Sequence, residues 1–433
     1  MSRDRARVSR AAAAALALVA FAAGARGAEL SVGFGTKPLP ARAGESMGGY
    51  GGLTTRRATG VLDPPQARAL VLEQGELRIG IVVLDVVIAR PNVRDLLVEA
   101  ARPLGLAMIA LVATHSHSGP GGYLPGWLSA RVTAGEYDSE MPAKLARAAA
   151  LALERAVADL APARVASTSV PVSLARNRRF PDGGVDRELA VLRADFADGR
   201  APVVLFELGA HATLLSADNT ELSADWPGAA RAALESAGSR ALFVPGPLGD
   251  QEPAVELESF ASLERQREVM REYGSAVAKA VDGAARGLEP RAATEPLEAL
   301  ERWVEPPAPQ LRSFCSLWWL SPFVRGSLQE FVAPRVPFQV MRAGNAELLF
   351  VPAEPIAAVG AELREISKSG RKRFVVAHAN DWLGYVVDPP TYERGGYESC
   401  LCLFGPHTSD WLVGAAAETL QQLDAKDAPG GGQ

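Results

Sequence analysis

The apolar positions of this chain fall into runs of two kinds. Strand-length runs bounded by turn residues occupy Leu30 to Gly35, Ala67 to Leu72, Leu77 to Val87, Ala107 to Ala113 and Arg164 to Val172. They continue at Leu189 to Phe196, Val203 to Leu208, Ala241 to Val244, Val340 to Arg342, Glu347 to Val351 and Phe374 to Ala377. Three pairs of these runs flank turn dipeptides, Gln74-Gly75, Asp198-Gly199 and Gly344-Asn345, and read as hairpins. Runs with helical spacing are predicted from Pro91 to about Arg102, Met141 to Leu160, Leu257 to Ala285, after Glu354 to about Ser367, and Ser409 to Leu423. Pro91 suits the first helical position. Asp225 can cap a further helix with Pro227 in its first turn. Strands alternate with helices and hairpins recur, which predicts an α/β fold with mixed β-sheets flanked by helices rather than a doubly wound parallel sheet. Between Glu301 and Pro337 the pattern reads as a long insertion holding Phe314, Trp318, Trp319 and Phe323.

The chain has 433 residues, 48% of them hydrophobic, enough for a sizeable core. Its net charge of −5 comes with no basic stripe, which argues against a nucleic-acid partner. Residues 1–27 have the layout of a secretory signal peptide. Arg3, Arg5, Arg7 and Arg10 precede an apolar stretch from Ala11 to Ala23, followed by small-residue cleavage sites. A secreted or periplasmic protein is therefore expected, with this leader standing outside the fold. No linker divides Glu29 from Ala425, so residues 28–425 are expected to form a single large domain and 426–433 a disordered tail. Of the three cysteines, a bridge between Cys400 and Cys402 would be strained. Cys315 could pair with either of them.

The candidate chemistry centres on Thr114-His115-Ser116-His117-Ser118-Gly119-Pro120-Gly121-Gly122-Tyr123. Residues i and i+2 of an extended chain point to the same side, so His115 and His117 leave a strand end together. The glycine-rich turn lets other backbone approach closely. Histidine is rare here, with five in the chain, and two of them stand in this motif. His211 and Glu354 also follow predicted strands. Two histidines and a carboxylate make a catalytic zinc shell with a position left for water.

These segments resemble the neutral/alkaline ceramidase family, non-lysosomal amidases that cut the N-acyl bond of ceramide. The resemblance is carried by the histidine motif, by Met47 to Tyr50, Asp63-Pro64, Asp85, Asn177-Arg178 and His211, and by Gly249-Asp250. It continues through Pro352-Ala353-Glu354, Asn380 to Tyr385, Tyr392-Glu393, Tyr397-Glu398 and Gly405-Pro406-His407-Thr408, in family order. It implies a zinc ion held by His115, His211, Glu354 and Tyr385. It further implies catalytic roles for His117, Asp250 and Arg178: His117 meets the developing oxyanion or passes a proton, Arg178 meets a polar group of the substrate, and Asp250 orients a ligand or takes a proton. Tyr123 and Glu252 are expected to contact substrate. The substrate would be a lipid or other N-acyl small molecule, with peripheral membrane contact through 314–323.

Two departures bear on that expectation. The family has a serine before the proline of its Gly-Asp-x-Ser-Pro motif, and here the stretch is Gly249-Asp250-Gln251-Glu252-Pro253. Glu252 excludes a serine nucleophile at this point and leaves the metal–water route. It also points to an alternative substrate, another N-acyl compound or ester. A non-catalytic exported binding protein is the remaining alternative. The family's carboxy-terminal β-sandwich domain is not expected in this chain. His378 and His407 read as structural histidines.

Overall fold

The fold is that of a computed structural model, which describes residues 28–50, 56–126, 135–293, 295–310, 312, 332–367 and 369–427, with the backbone of Leu18–Phe21. An eight-stranded mixed sheet has the order Arg240–Pro245, Val203–Leu208, Glu188–Phe196, Ala161–Pro171, Ser31–Pro38, Gln66–Gln74, Leu77–Leu84, Met108–Ala113. A five-stranded sheet has the order Leu18–Phe21, Glu298–Val304, Val336–Ala343, Ala346–Phe350, Lys372–Val376. The expected mixed α/β architecture is what the molecule has.

Alternation along the strands explains the layering. Leu70, Leu72, Ile79, Ile81 and Val83 point one way and pack against Met341, Leu348, Phe350 and Phe374 of the second sheet. Ala69, Val71, Val82 and Leu84 point the other way, onto Leu145, Ala149 and Leu153 of helix Met141–Ala158 and Val93 and Leu97 of helix Pro91–Ala101. Helices Asp225–Ser236 and Leu263–Arg286 cover the other half of that outer face. Helices Ala357–Glu365 and Thr408–Asp427 cover the outer face of the five-stranded sheet. Two sheets thus lie face to face between helices, and strands such as Val203–Leu208, Met108–Ala113 and Ala346–Phe350 are buried on both sides.

Two expected element boundaries are corrected. The long helix from Leu257 is a short 3-10 turn, Leu257–Phe260, and then the helix Leu263–Arg286, because the Ser262 hydroxyl accepts the Arg265 N–H and starts the helix there. The supposed insertion opens with a strand, Glu298–Val304, whose alternation is blurred because one face meets the core and the other meets helix Thr408–Asp427. Within the leader, Leu18–Phe21 pairs antiparallel with Ala299 to Arg302, covering what would otherwise be an open sheet edge. The rest of 1–27, and the aromatic stretch 314–323, lie outside the described residues. Cys400 is disulfide-bonded, whereas Cys402 is a buried free thiol.

Candidate metal centre and its cleft

Parallel neighbours bring the chemistry together. Met108–Ala113, Val203–Leu208, Ala346–Phe350 and Lys372–Val376 each belong to a parallel pair. The segments just beyond their carboxyl ends carry His115, His211, Glu354 and His378. This is where α/β sheets place their ligands, since the loops there are free of the ladder.

Each ring is oriented by backbone. His115 Nδ1 lies 2.6 Å from the Val87 carbonyl, and His211 Nδ1 lies 2.8 Å from that of Gln251. A carbonyl only accepts, so both rings donate through Nδ1 and turn a bare Nε2 lone pair inward. Those two Nε2 atoms face one carboxylate oxygen: Glu354 Oε1 is 3.0 Å from His211 Nε2 and 3.6 Å from His115 Nε2. The other oxygen, Oε2, accepts the Trp382 indole N–H at 2.9 Å. All three residues are buried. Burial lowers the pKa of His115 and pushes that of His211 well down, so neither ring carries the proton that would make these contacts ion pairs. Neither His211 Nε2 nor Glu354 Oε1 has a hydrogen-bond partner among the described residues. Lone pairs converging without a proton repel, and a cation at their focus removes the conflict. The donor set therefore fits zinc, which takes nitrogen and carboxylate ligands.

Tyr385 arrives beside the carboxylate because its short strand pairs in parallel with that of Glu354, residue against residue. Its hydroxyl accepts from Arg178 at 3.0 Å. Burial raises its pKa well above the ordinary phenol value, assisted by the Glu354 charge, while Arg178 opposes the rise. His117 Nε2 lies 3.1 Å from His115 Nε2. Its Nδ1 accepts the Tyr50 N–H at 3.4 Å, which leaves the proton on Nε2, facing the centre. Gly49 allows this approach: a Cβ there would sit 2.6 Å from His117 Cα and Cβ.

A cleft of about 610 Å³ leads to this point, lined by His117, Arg178, Tyr385, Trp382, Phe260 and Tyr397 among others. Arg178 is held by Glu398 at 3.0 Å and by the Gly249 carbonyl at 2.9 Å. Glu252 also lines the cleft, with Oε1 2.8 Å from Arg176 Nε, so its charge is balanced by a neighbour across a two-strand ladder.

Several expected site residues do other work. Tyr123 is fully buried in the core, where its hydroxyl donates to the Ile88 carbonyl at 3.0 Å; it does not reach the cleft. Asp250, expected to orient a ligand or take a proton, has contacts that suit the first: its oxygens accept from Ala357 N at 2.9 Å, Gln251 Nε2 at 2.7 Å and Asn177 Nδ2 at 2.7 Å. It fixes the turn whose next carbonyl, that of Gln251, orients His211. Asp225, read as a helix cap, accepts from Leu214 N and Leu215 N and so holds the segment after His211. His407 is exposed rather than buried and pairs with Asp410 at 2.9 Å.

Sequence reasoning assigned no role to Trp382 and read His378 as structural. Trp382 stood inside a quoted motif, but its reach back to Glu354 had no local signal. His378 is fully buried, faces His115 with ring centroids 4.2 Å apart, and places Nε2 3.7 Å from Glu354 Oε2.

Residues 31–246 match the family model described as neutral/alkaline non-lysosomal ceramidase, N-terminal. No curated protein matches the sequence. Among solved structures, the neutral ceramidase from Pseudomonas aeruginosa is similar over 92% of this chain and 75% of that one, at 22% identity and a TM-score of 0.78. A ceramidase complexed with C2 is similar over 92% of this chain and 76% of that one, at 21% identity and a TM-score of 0.78. With motifs, fold and family model in agreement, this chain belongs to the neutral/alkaline non-lysosomal ceramidase family of amide-bond hydrolases.

Proposed function

We propose that this protein is an exported, zinc-dependent amidohydrolase that cleaves the N-acyl bond of ceramide or a ceramide-like lipid with water activated at the metal. The observation that carries the reading is the convergence of His115 Nε2, His211 Nε2 and Glu354 Oε1, buried and without protons between them, at the end of an open cleft. His115, His211 and Glu354 would hold the ion, with Tyr385 beside them. When bound, zinc lowers the pKa of a coordinated water to about 7 and polarises a carbonyl.

The remaining steps belong to the chain's own groups. His117 Nε2–H is a hydrogen-bond donor for the carbonyl oxygen as it gains negative charge. Arg178 keeps the Tyr385 hydroxyl in place and presents its guanidinium to the cleft. Phe260, Trp382 and Tyr397 supply apolar walls for an acyl or sphingoid chain.

Zinc analysis of the purified protein and a panel of fluorescent N-acyl substrates test the reading. About one zinc per chain and turnover of N-acyl sphingosine are expected. A protein that takes up no zinc, or one that binds it and cleaves no N-acyl lipid, refutes it.

A second reading, an N-acyl compound with a charged headgroup, is favoured by the Arg176–Glu252 pair on the cleft wall. Removing Glu252 uncovers Arg176. Glu252→Ser should therefore raise kcat/KM for an N-acyl amine bearing a carboxylate by a few-fold relative to ceramide, the scale of a half-exposed ion pair of under about 1 kcal/mol. An unchanged ratio removes the pair from substrate choice. Export is tested separately, by amino-terminal sequencing of protein recovered outside the cytoplasm; an intact Met1 there argues against a cleaved leader.

A further inference from the structure

His378 is the one histidine at the centre that the family resemblance leaves unassigned. Its backbone is tied to both neighbouring ligand loops: the His378 N–H donates to the Ala353 carbonyl at 3.1 Å, next to Glu354, and its carbonyl accepts the Ala113 N–H at 3.2 Å, two residues before His115. It adopts a left-handed conformation, φ 53, which a non-glycine residue keeps only where its surroundings dictate it. His115 does the same, with φ 62. The His378 ring is fully buried, and neither of its nitrogens has a hydrogen-bond partner among the described residues. A fully buried imidazole on strained backbone with both nitrogens unsatisfied is one that a bound group would complete.

The spacing identifies the bound group. The ligand atoms of His115, Glu354 and His378 all lie within 4.8 Å of one another. The His115 Nε2–Glu354 Oε1 and His378 Nε2–Glu354 Oε2 separations are 3.6 and 3.7 Å. Two ligands of one zinc, each about 2.0–2.2 Å from it, stand roughly 3.3–3.6 Å apart in a tetrahedral shell, close to both separations, and because His378 meets Oε2 while His115 and His211 meet Oε1, the Glu354 carboxylate would turn both oxygens towards the ion.

We infer that His378 is a further ligand of this centre, so that in this chain the metal is held by three imidazoles, His115, His211 and His378, with the Glu354 carboxylate. The inference rests on the metal reading above and adds a residue to it. Ligation requires the His378 ring to turn out of its face-on contact with His115, because a metal lies in the plane of each ring it binds. That turn is a side-chain rotation and leaves the backbone ties in place. A third neutral nitrogen leaves the net charge of the shell unchanged.

The test is zinc X-ray absorption on the zinc-loaded protein, paired with zinc affinity measured by competition with a chromogenic chelator. Wild type is compared with His378→Asn and His378→Gly, both of which accept a left-handed backbone. Circular dichroism checks that each variant folds. Three imidazoles are expected in wild type and two in each variant, with zinc affinity lower by more than about 100-fold. That exceeds the 10–100-fold expected of a residue that merely steadies a ligand. Two imidazoles in all three proteins, or a loss of affinity below 10-fold, overturns the inference while leaving the metal centre standing. A wild-type protein that binds no zinc removes the centre itself, and this inference with it.

Discussion

Replacement of His117 by alanine separates metal binding from chemistry. The His117 ring contacts Tyr50 edge-on at 4.8 Å and His115 at 4.7 Å between centroids, and its Nε2 points at the site of reaction. None of the groups that orient the other ligands depends on it: His115 leans on the Val87 carbonyl, His211 on the Gln251 carbonyl and Glu354 on the Trp382 indole. Zinc content should therefore stay at the wild-type level. The donor lost is one aimed at an oxygen that becomes charged only in the transition state. Loss of such a donor costs about 2.7–4 kcal/mol, or 10²–10³ in kcat. An interaction made only in the transition state lowers kcat and kcat/KM together and leaves KM near its original value. The assay is steady-state hydrolysis of a fluorescent N-acyl sphingosine, with zinc measured on the same preparation. If zinc is lost along with activity, His117 is a ligand. If kcat falls less than about five-fold, it is a spectator. Either result refutes the donor role.

Three further outcomes follow from named contacts. Gly49→Ala places a methyl 2.6 Å from His117 backbone and ring atoms, so it should displace that ring and lower kcat at least ten-fold with zinc retained; full activity would show that the loop yields freely. Arg231→Met strands the buried Asp85, which Arg231 grips at 2.8 and 2.7 Å, and should cost about 3–5 kcal/mol in urea unfolding. The double variant with Asp85→Asn should recover much of that loss, and equal losses in both proteins would refute the stranded-charge argument. Burial raises the Asp225 pKa from 3.8 to about 6 against three backbone N–H donors. A folded pKa above the unfolded one means that the contribution of Asp225 is largest below about pH 4 and declines as pH rises through about 6. The stability of wild type relative to Asp225→Asn should therefore fall by about 2 kcal/mol between pH 4 and pH 7, and a pH-independent difference measured by urea unfolding would show that Asp225 titrates normally.

Much of the architecture was legible without coordinates. Val203–Leu208 and Leu77–Leu84 show strand-length apolar runs, and Gln74-Gly75 and Gly344-Asn345 show turn chemistry. These signals are local, because a strand's burial and a hairpin's turn are written in consecutive residues. The helix start at Ser262 and the strand Glu298–Val304 were not recovered: the first needed one side chain's capping bond, the second a partner strand about 40 residues away. The same divide runs through the site. The nearness of His115 to His117 follows from their separation of two residues, but the extended strand expected beneath them stops at Ala113 and His115 is left-handed, with φ 62. That His211 and Glu354 join them was suggested by their places after predicted strands but specified only through family resemblance, since 143 residues separate those two positions.

What tertiary structure alone decided is which polar groups have their hydrogen bonds filled. Tyr123 lies in a glycine-rich motif yet spends its hydroxyl on Ile88, and Asp250 spends both oxygens on backbone and amide donors. His378, which no motif singles out, is left buried with two open nitrogens beside Glu354. A sequence determines which side chains are able to donate or accept, and the periodicity that buries them. Whether a buried donor or acceptor is already used depends on atoms brought in from distant strands, and only the packed chain settles that.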